Sequence, residues 1–352
     1  MRINIAVFDK DTFYTERLIK KFCEKYLKQT SVSAFTDEKM FAAELASQHF
    51  DFVLIDQGCM DLRTIIPEKA VIAVFVKDNT IDEIESIPAV GKYQKVDSIY
   101  KRIVDIYAEN SAGIKVRRGG RKSTTVMFTS VQGGCGTSSL AAAYALNRAR
   151  NGKYVFYLNL ETFGSSNSYF YGEGQGSFSD IIYALKSKNV NLAMKMEAVT
   201  RKDESGVEFI NGCRNAFDMM ELKDSEISDL IEGTEAAQEY DLKVIDYSGF
   251  LSPRHLQLMK EYADTIIYVS DGSETGNEKF NKFCEAVRVI EKKENTVLLN
   301  KMALVYNRYS SKTSRQMETL PITLLGGIHR IEGVTGRDLV EELSKQDVVF
   351  NI

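Results

Sequence analysis

Several residue types are too scarce or too scattered to support the functions they commonly serve. The 352-residue chain has four prolines, which excludes a proline-rich linker or fibre. Its three histidines (His49, His255 and His329) lie far apart, so a zinc site or a histidine-based triad has little to draw on. The five cysteines include no CxxC pair, a pattern typical of reduced thiols in the cytosol.

Long apolar runs and an excess of one charge sign are also lacking. No run of about eighteen apolar residues predicts a transmembrane helix. The first residues, MRIN, lead into a strand-like run and not into a signal peptide. The net charge of −4 creates no overall basic field for nucleic acid. At about 150 residues per domain, the length predicts two domains or three. We therefore expect a cytoplasmic globular protein.

One change of composition marks a boundary between two domains. Residues 111–125 contain three glycines and no acidic residue. They carry five basic side chains: Lys115, Arg117, Arg118, Arg121 and Lys122. This pattern predicts a first domain at 1–110, an exposed basic linker at 111–124 and a second domain at 125–352. The linker charges fit either a solvated connector or a patch for anionic lipid or nucleic acid.

Apolar runs alternate with helical patterns in the first domain. The predicted strands are Ile3–Phe8, Ser31–Phe35, Asp51–Asp56, Ala70–Val76 and Tyr93–Val96. The predicted helices are Phe13–Tyr26, Asp37–Ser47 and Asp97–Ala108. Uninterrupted apolar strands separated by helices predict an α/β fold with a five-stranded parallel sheet covered on both faces. Polar chemistry in such sheets lies at the carboxyl ends of the strands, where Asp9, Asp11 and Asp56 stand.

This arrangement resembles the receiver domain of two-component response regulators, a flavodoxin-like fold. Asp56 stands where that family has its phospho-acceptor, and Lys95 stands roughly where it has its lysine. The second of two adjacent acids is replaced by Lys10, and Phe75 and Val76 replace the switch hydroxyl. Because phosphoryl transfer needs a divalent ion, we expect Asp56 to be a degenerate phospho-acceptor. The domain would then be a docking or dimerisation module, with Asp56 making local hydrogen bonds.

A glycine-rich loop separates a strand from a helix at the start of the second domain. The predicted strand Thr125–Val131 precedes the loop, and the predicted helix Leu140–Arg150 follows it. This is the context of a phosphate-binding loop, because glycines let backbone N–H groups converge on an anion. The candidate nucleotide-binding residues of the loop are Gln132, Gly133, Gly134, Cys135, Gly136, Thr137, Ser138 and Ser139.

Other predicted strands of the second domain end in polar residues. They are Val155–Glu161, Leu242–Asp246, Asp264–Asp271, Thr296–Tyr306 and Ile322–Ile328, followed by a last helix at Thr335–Ser344. Asn159 and Glu161 close the first of these strands, and Asp246 closes the second. Asn307 and Arg308 directly follow the fourth.

Together these segments resemble the ParA/MinD family of deviant P-loop ATPases. The loop of that family reads Lys-Gly-Gly-x-Gly-Lys-Thr, and Gly133, Gly134, Gly136 and Ser138 match it. The resemblance implies a P-loop NTPase fold with a mostly parallel sheet, and ATP and Mg²⁺ as cofactors. It implies that Ser138 ligates Mg²⁺ and that Asp246 holds the ion through water. It also implies that Asn307 and Arg308 contact adenine.

The departures from the ParA/MinD pattern are concentrated where the chemistry would occur. Gln132 and Thr137 replace the two loop lysines, and Asn159 replaces one switch aspartate. Glu161 replaces the other, which makes it the one candidate catalytic residue. Losing a charged hydrogen bond to phosphate weakens binding by about 10- to 150-fold, whereas losing a transition-state cation costs about 10³–10⁵ in rate. We therefore expect the site to retain ATP binding but to lose most ATP hydrolysis, unless Arg330 or a partner subunit supplies a cation.

The order of the two domains, with both of them degenerate, resembles the CpaE/TadZ proteins of tight-adherence (Flp, type IVb) pilus assembly. The resemblance implies a cytoplasmic localisation factor that dimerises through the ATPase domain and recruits secretion machinery at a cell pole. The acidic, amphipathic segment 335–352 argues against direct membrane insertion. Two alternatives stay open: a slow partitioning or flagellar-number ATPase, and a receiver-regulated signalling output protein.

Overall fold

The computed structural model describes residues 2–110, 123–164, 166–187 and 190–352. The chain divides into two compact units, Met1–Arg117 with Ala184–Val199, and Arg118–Tyr183 with Thr200–Ile352. Residues 111–122 of the predicted linker, with its five basic side chains, lie outside the described residues. Within the described residues, no helix has the length and apolar character needed to cross a membrane.

The first unit contains a mostly parallel sheet. Its strands are β1 (Ile3–Phe8), β2 (Thr30–Phe35), β3 (Phe52–Asp56), β4 (Val71–Val76), β5 (Glu83–Ile84) and β6 (Ile87–Gly91). Its first three helices are α1 (Thr12–Tyr26), α2 (Glu38–Ser47) and α3 (Val96–Asn110). The strand order is β2-β1-β3-β4-β6-β5, and the short β5 pairs antiparallel with β6. The predicted parallel sheet of an α/β fold is confirmed; its fifth parallel strand lies elsewhere than predicted, and β5 is an additional edge strand.

Both faces of this sheet are buried. Phe52 and Leu54 of β3 pack on one face with residues of α1 and α3. Val53 and Ile55 pack on the other face with residues of α2. Because successive side chains of a strand point to opposite faces, the continuous apolar run of β3 fills both cores.

The last parallel strand of the first unit is not where the sequence pattern placed it. The prediction of Tyr93–Val96 is wrong, because β6 is Ile87–Gly91 and Val96 already begins α3. Pro88 obscured this strand, since proline cannot donate to a strand ladder. The structure accommodates Pro88 opposite Glu83 in the antiparallel pairing with the two-residue β5.

The second unit is built on an eight-stranded sheet. Its strands are β7 (Thr124–Thr129), β8 (Val155–Asn159), β9 (Arg201–Lys202), β10 (Glu208–Phe209), β11 (Leu242–Asp246), β12 (Thr265–Ser270), β13 (Met302–Tyr309) and β14 (Thr323–His329). The order is β14-β13-β12-β7-β11-β8-β10-β9. Every pairing is parallel except that of β9 with β10, so the predicted mostly parallel sheet is confirmed.

Helices cover this sheet and connect its strands. The helices that follow the linker are α4 (Thr137–Arg150), α5 (Phe178–Lys186), α6 (Leu192–Val199), α7 (Ala216–Glu221), α8 (Ile227–Ala237), α9 (Pro253–Gln257), α10 (Glu274–Glu294), α11 (Gly336–Ser344) and α12 (Asp347–Phe350). Helix α6 is the exception, because it packs in the first unit. The small side chains of Ala141, Ala142 and Ala143 are fully buried, so α4 lies close to the strands. This close packing places the start of α4 at the carboxyl end of β7.

The predicted strand Thr296–Tyr306 begins six residues later than expected, at Met302. Helix α10 ends at Glu294 and is capped by Asn295, whose φ of 50° is in the left-handed region. The side chain of Glu291 then accepts the backbone N–H groups of Leu298 and Leu299. These local bonds fold the apolar segment into a turn before the strand starts.

Helix α6 packs in the first unit, although the sequence predicted its residues within the second domain. Lys195 is almost completely buried, and its Nζ lies 2.6 Å from Asp105 Oδ1 and 2.7 Å from Glu109 Oε1 of α3. The hydroxyl of Tyr100 donates to Glu197 (2.6 Å), and Met194 joins the core beside α3. The unit boundaries therefore interrupt the second domain at 184–199.

Candidate functional site

The glycine-rich loop lies at the carboxyl edge of the second sheet, between β7 and α4. Strand β7 is central, with β11 and β12 as its neighbours. The register pairs Asp246 of β11 with Phe128 of β7 and with Asn159 of β8. Because parallel strands end at the same edge, the polar residues that close β8 and β11 stand beside the loop.

Two glycines shape the loop. Gly134 has φ of +78° and Gly136 has φ of +84°, which other residues adopt only with strain. Gly136 is the N-cap of α4 and offers no side-chain cap. The first N–H groups of α4 therefore depend on water or an anion for partners, as in phosphate-binding loops.

Asn307 and Arg308 contact the backbone of this loop. Asn307 Nδ2 donates to the carbonyls of Cys135 (2.9 Å) and Gly136 (3.3 Å). Arg308 Nη1 donates to the carbonyl of Gly134 (2.6 Å). The two residues that the family resemblance assigns to adenine thus hold three successive loop carbonyls.

Neither residue that replaces a loop lysine presents a cation to the loop. The carboxamide of Gln132 bonds to Ser273 (3.4 Å), Ser270 (3.3 Å) and the N–H of Asp271 (3.4 Å), at the end of β12. Thr137 is buried, with its hydroxyl 3.2 Å from Cys135 Sγ. Both positions therefore support the loop from inside the fold.

A group of oxygen atoms faces the start of α4 from β8 and β11. Ser138 Oγ donates to Glu161 Oε2 (3.1 Å). Asp246 Oδ2 accepts from Tyr157 (2.7 Å) and from Asn159 Nδ2 (3.0 Å). Asp246 is fully buried, and its Oδ1 has no hydrogen-bond partner. An unpartnered buried carboxylate oxygen is costly unless a cation or water meets it.

The electrostatics of this group favour a cation. Burial raises the pKa of Asp246 to about 8, and the neighbouring Glu161 carboxylate adds to the rise. Burial likewise raises the pKa of Glu161. A divalent ion would relieve both effects, and hard oxygen donors such as Ser138 suit Mg²⁺.

Protein groups alone do not complete such a site. Across the described part of the chain, no three His, Cys, Asp or Glu residues are grouped to hold a metal. Mg²⁺ commonly keeps several waters and takes phosphate oxygens as further ligands. The residues present therefore fit Mg²⁺ bound together with a phosphate, with Ser138 and Asp246 on the protein side.

Arg330 lies exposed directly after β14, and its backbone N–H donates to the carbonyl of Tyr309 (3.4 Å). The structure gives no contact that tests its predicted role as a substitute cation. That role stays a prediction.

The receiver-like unit has its own group of charged residues. Lys92 follows β6 and is buried, with its Nζ 2.6 Å from Asp9 Oδ2 and 3.5 Å from Asp56 Oδ2. The family's lysine position is therefore filled by Lys92, and the prediction of Lys95 is wrong because β6 ends earlier than expected. Exposed Lys10 pairs with Glu38 at 3.0 Å.

The acid at the end of β3 makes a local contact as well. Asp56 Oδ1 accepts the N–H of Gly58 (2.9 Å) and caps the turn that follows the strand. This contact agrees with the local hydrogen-bonding interpretation of Asp56.

Comparison with known proteins agrees with this architecture. Residues 1–108 match the family model described as TadZ-like, receiver domain. A solved ParA family ATPase from Chlorobium tepidum TLS is similar to the chain, with a TM-score of 0.50 and 16% identity. That similarity covers 65% of this chain and 92% of the other. No curated protein matches the chain in sequence.

Two solved MinD proteins show weaker similarity. The cell division ATPase MinD of Pyrococcus furiosus has a TM-score of 0.48 and 14% identity, covering 65% of this chain and 95% of its own. The septum site-determining protein MinD of Pyrococcus horikoshii OT3, complexed with Mg-ADP, has a TM-score of 0.43 and 16% identity, covering 63% and 95%.

A TadZ-like receiver domain followed by a ParA-like fold is the two-domain organisation of CpaE/TadZ-type proteins. The resemblance stated from the sequence and the predicted fold class are both confirmed.

Proposed function

We propose that this protein of CpaE/TadZ-type organisation is a cytoplasmic localisation and scaffold factor for tight-adherence (Flp, type IVb) pilus assembly. Its second domain binds Mg-ATP, forms a homodimer and hydrolyses ATP weakly or not at all. The dimer gathers pilus assembly and secretion proteins at a cell pole. One observation carries the proposal: the loop keeps its anion-binding shape while neither lysine position supplies a cation.

The binding part of the proposal depends on what the site retains. Gly134 and Gly136 keep the left-handed turns of the loop, and the first N–H groups of α4 lack a side-chain cap. Ser138 and the buried Asp246 supply oxygen atoms where Mg²⁺ would stand. Backbone N–H groups and a helix N-terminus bind phosphate without a lysine, although less tightly.

The weak hydrolysis follows from what the site lacks. Phosphoryl transfer depends on positioning and on cations that neutralise the developing charge, and a missing cation costs about 10³–10⁵ in rate. Gln132 is neutral and bonded to the end of β12, and Thr137 is neutral and buried. Glu161 is the candidate group for orienting water, but it cannot supply positive charge.

Slow turnover suits a scaffold. A ligand that binds one conformation stabilises it for as long as it stays bound. With ATP held and hardly hydrolysed, a nucleotide-stabilised dimer would persist and would not cycle. A partitioning ATPase with a substitute cation, such as Arg330 or a residue of a partner subunit, is the second candidate and predicts measurable turnover.

A paired measurement on the purified chain tests the proposal. Mg-ATP binding, phosphate release and oligomeric state by light scattering are followed in the same samples. We expect binding, dimer formation and negligible release in the unmodified chain. Ser138→Ala should weaken Mg-ATP binding, while Ser47→Ala, in α2 of the first unit, serves as the control. Turnover well above background would favour the partitioning ATPase, and absence of ATP binding would overturn the proposal.

A cellular experiment tests the localisation part. A fluorescent fusion of the unmodified chain should localise to a cell pole. In cells that lack the protein, the pilus assembly proteins should no longer gather at that pole. Asp56→Asn should leave this placement unchanged, because Lys10 replaces a magnesium-ligating acid of the receiver family. Loss of polar placement in Asp56→Asn would instead favour the receiver-regulated signalling protein.

A further inference from the structure

The end of β13 directs two consecutive side chains toward the same loop. In a regular strand, neighbouring side chains point to opposite faces. Asn307 and Arg308 nevertheless both reach carbonyls of the glycine-rich loop, on Cys135, Gly136 and Gly134.

The cause is a local irregularity in the strand. The pairing of β13 with β14 shifts register between Tyr306 and Tyr309. Arg308, inside that interval, has φ of +57°, a left-handed conformation that is strained for arginine. Bulges of this kind redirect side chains, and such strain clusters at functional sites.

The buried position of Asn307 limits what its amide can do. The residue is 3% exposed, and its Nδ2 group already serves two carbonyls at 2.9 and 3.3 Å. Gly136 makes this approach possible, since a Cβ there would lie 2.5 Å from Asn307 Nδ2. The amide therefore fits against the loop and is enclosed by it.

We infer that Asn307 and Arg308 are positioning residues that hold the loop ready for a diphosphate group before any nucleotide binds. Asn307 and Arg308 fix three carbonyls on one side of the loop. The N–H groups between these carbonyls then point to the other side of the loop, where they can converge on an anion. The site would then recognise the diphosphate group and would take pyrophosphate itself, without a base. This inference rests on the proposed function for the nature of the ligand.

The test uses Asn307→Leu, which has similar size, no charge and no donor. Asn147→Leu is the matched control, because Asn147 is also 3% exposed and donates to a carbonyl, that of Ser344 at 2.9 Å, away from the loop. Binding of Mg-ATP and of Mg-pyrophosphate is measured by calorimetry. Hydrogen exchange of the ligand-free chain is measured at residues 133–138.

We expect Asn307→Leu to weaken ATP and pyrophosphate binding by the same factor, about tenfold, because the loss lies in the shared phosphate cradle. Exchange at 133–138 should become faster in Asn307→Leu and stay unchanged in Asn147→Leu. A variant that loses ATP affinity but keeps pyrophosphate affinity would show Asn307 to be an adenine contact and would overturn the inference.

Two further outcomes keep this inference separate from the proposed function. Unchanged exchange at 133–138 in Asn307→Leu, or wild-type binding of ATP without pyrophosphate, would overturn the inference and leave the proposed function standing. A wild-type chain that binds no ATP would overturn the proposed function. Faster exchange in Asn307→Leu would then still support the positioning role.

Discussion

Lys92 is buried against Asp9 in the first unit, at 2.6 Å, with Asp56 at 3.5 Å. Removing one partner of a buried pair leaves a buried charge without compensation. Lys92→Met should therefore lower the free energy of unfolding of this unit by about 3–5 kcal/mol. Urea denaturation followed by circular dichroism measures it, since the chain has no tryptophan.

Two comparisons give this prediction its control. Lys10→Met removes an exposed ion pair with Glu38 and should cost less than about 1 kcal/mol. Asp9→Asn added to Lys92→Met should restore part of the loss, because the unpaired carboxylate is then gone. Equal destabilisation by Lys92→Met and Lys10→Met would show that the buried ion pair adds no more to the free energy of unfolding than the exposed one.

His255 predicts a pH dependence of stability. Burial lowers the pKa of His255 to about 4, from 6.5. Its Nε2 lies 2.8 Å from Thr129 Oγ1, and its Nδ1 lies 3.4 Å from the carbonyl of Phe250. Between pH 6.5 and 4 the unfolded chain binds this proton and the folded chain does not. Stability should therefore fall as pH falls through this range, by up to about 1.4 kcal/mol per pH unit.

Thermal unfolding at several pH values measures this effect. His255→Gln should flatten the dependence between pH 6.5 and 4, whatever its effect on absolute stability. The exposed His329, replaced by glutamine, is the control and should leave the slope as it is. An unchanged slope in His255→Gln would assign the acid sensitivity to other groups.

The glycine-rich loop and the end of β13 are two elements that depend on each other. Gly136 has φ of +84° and faces Asn307 Nδ2, whereas Gly152 has φ of +81° and open space within 4 Å of the point where a Cβ would stand. Gly152→Ala should therefore show the cost of backbone strain alone, about 1 kcal/mol. Gly136→Ala should cost more and should weaken Mg-ATP binding about tenfold, since Asn307 must withdraw.

Urea denaturation and calorimetry on the two glycine variants separate strain from contact. Equal stability loss with unchanged ATP affinity in both variants would mean that the approach of Asn307 to Gly136 has no effect on the loop.

At the scale of the whole molecule, residues 184–199 belong to the first unit although residues on both sides of them belong to the second. Lys195 of α6 is almost completely buried between Asp105 and Glu109. Lys195→Met should destabilise the first unit by about 1–3 kcal/mol, because both acids lose a hydrogen-bonded cation.

Hydrogen exchange read separately for the two units measures this effect. Exchange in α3 should become faster in Lys195→Met and stay unchanged in Lys282→Met, which removes an exposed pair with Glu278. Unchanged exchange in α3 for both variants would show that α6 contributes little to the first unit.

Local patterns in the sequence were sufficient to predict most of the architecture. Continuous apolar runs such as those of β3 and β4 predicted buried parallel strands, because a strand covered on both faces needs apolar residues along most of its length. The glycines at 134 and 136 predicted the phosphate loop, because few other residues adopt its turns. Element boundaries were predicted less well where local bonds compete with the strand, as before β13.

Tertiary structure alone decided which residues meet. Lys92 contacts Asp9 because β6 ends at Gly91, earlier than the sequence pattern indicated. Helix α6 joins the first unit through Lys195, a contact between residues nearly ninety positions apart. Arg308 reaches the same loop as Asn307 where the strand shifts register between Tyr306 and Tyr309. Such contacts depend on distances between remote segments, whereas periodicity and turn residues record only the local preferences of the chain.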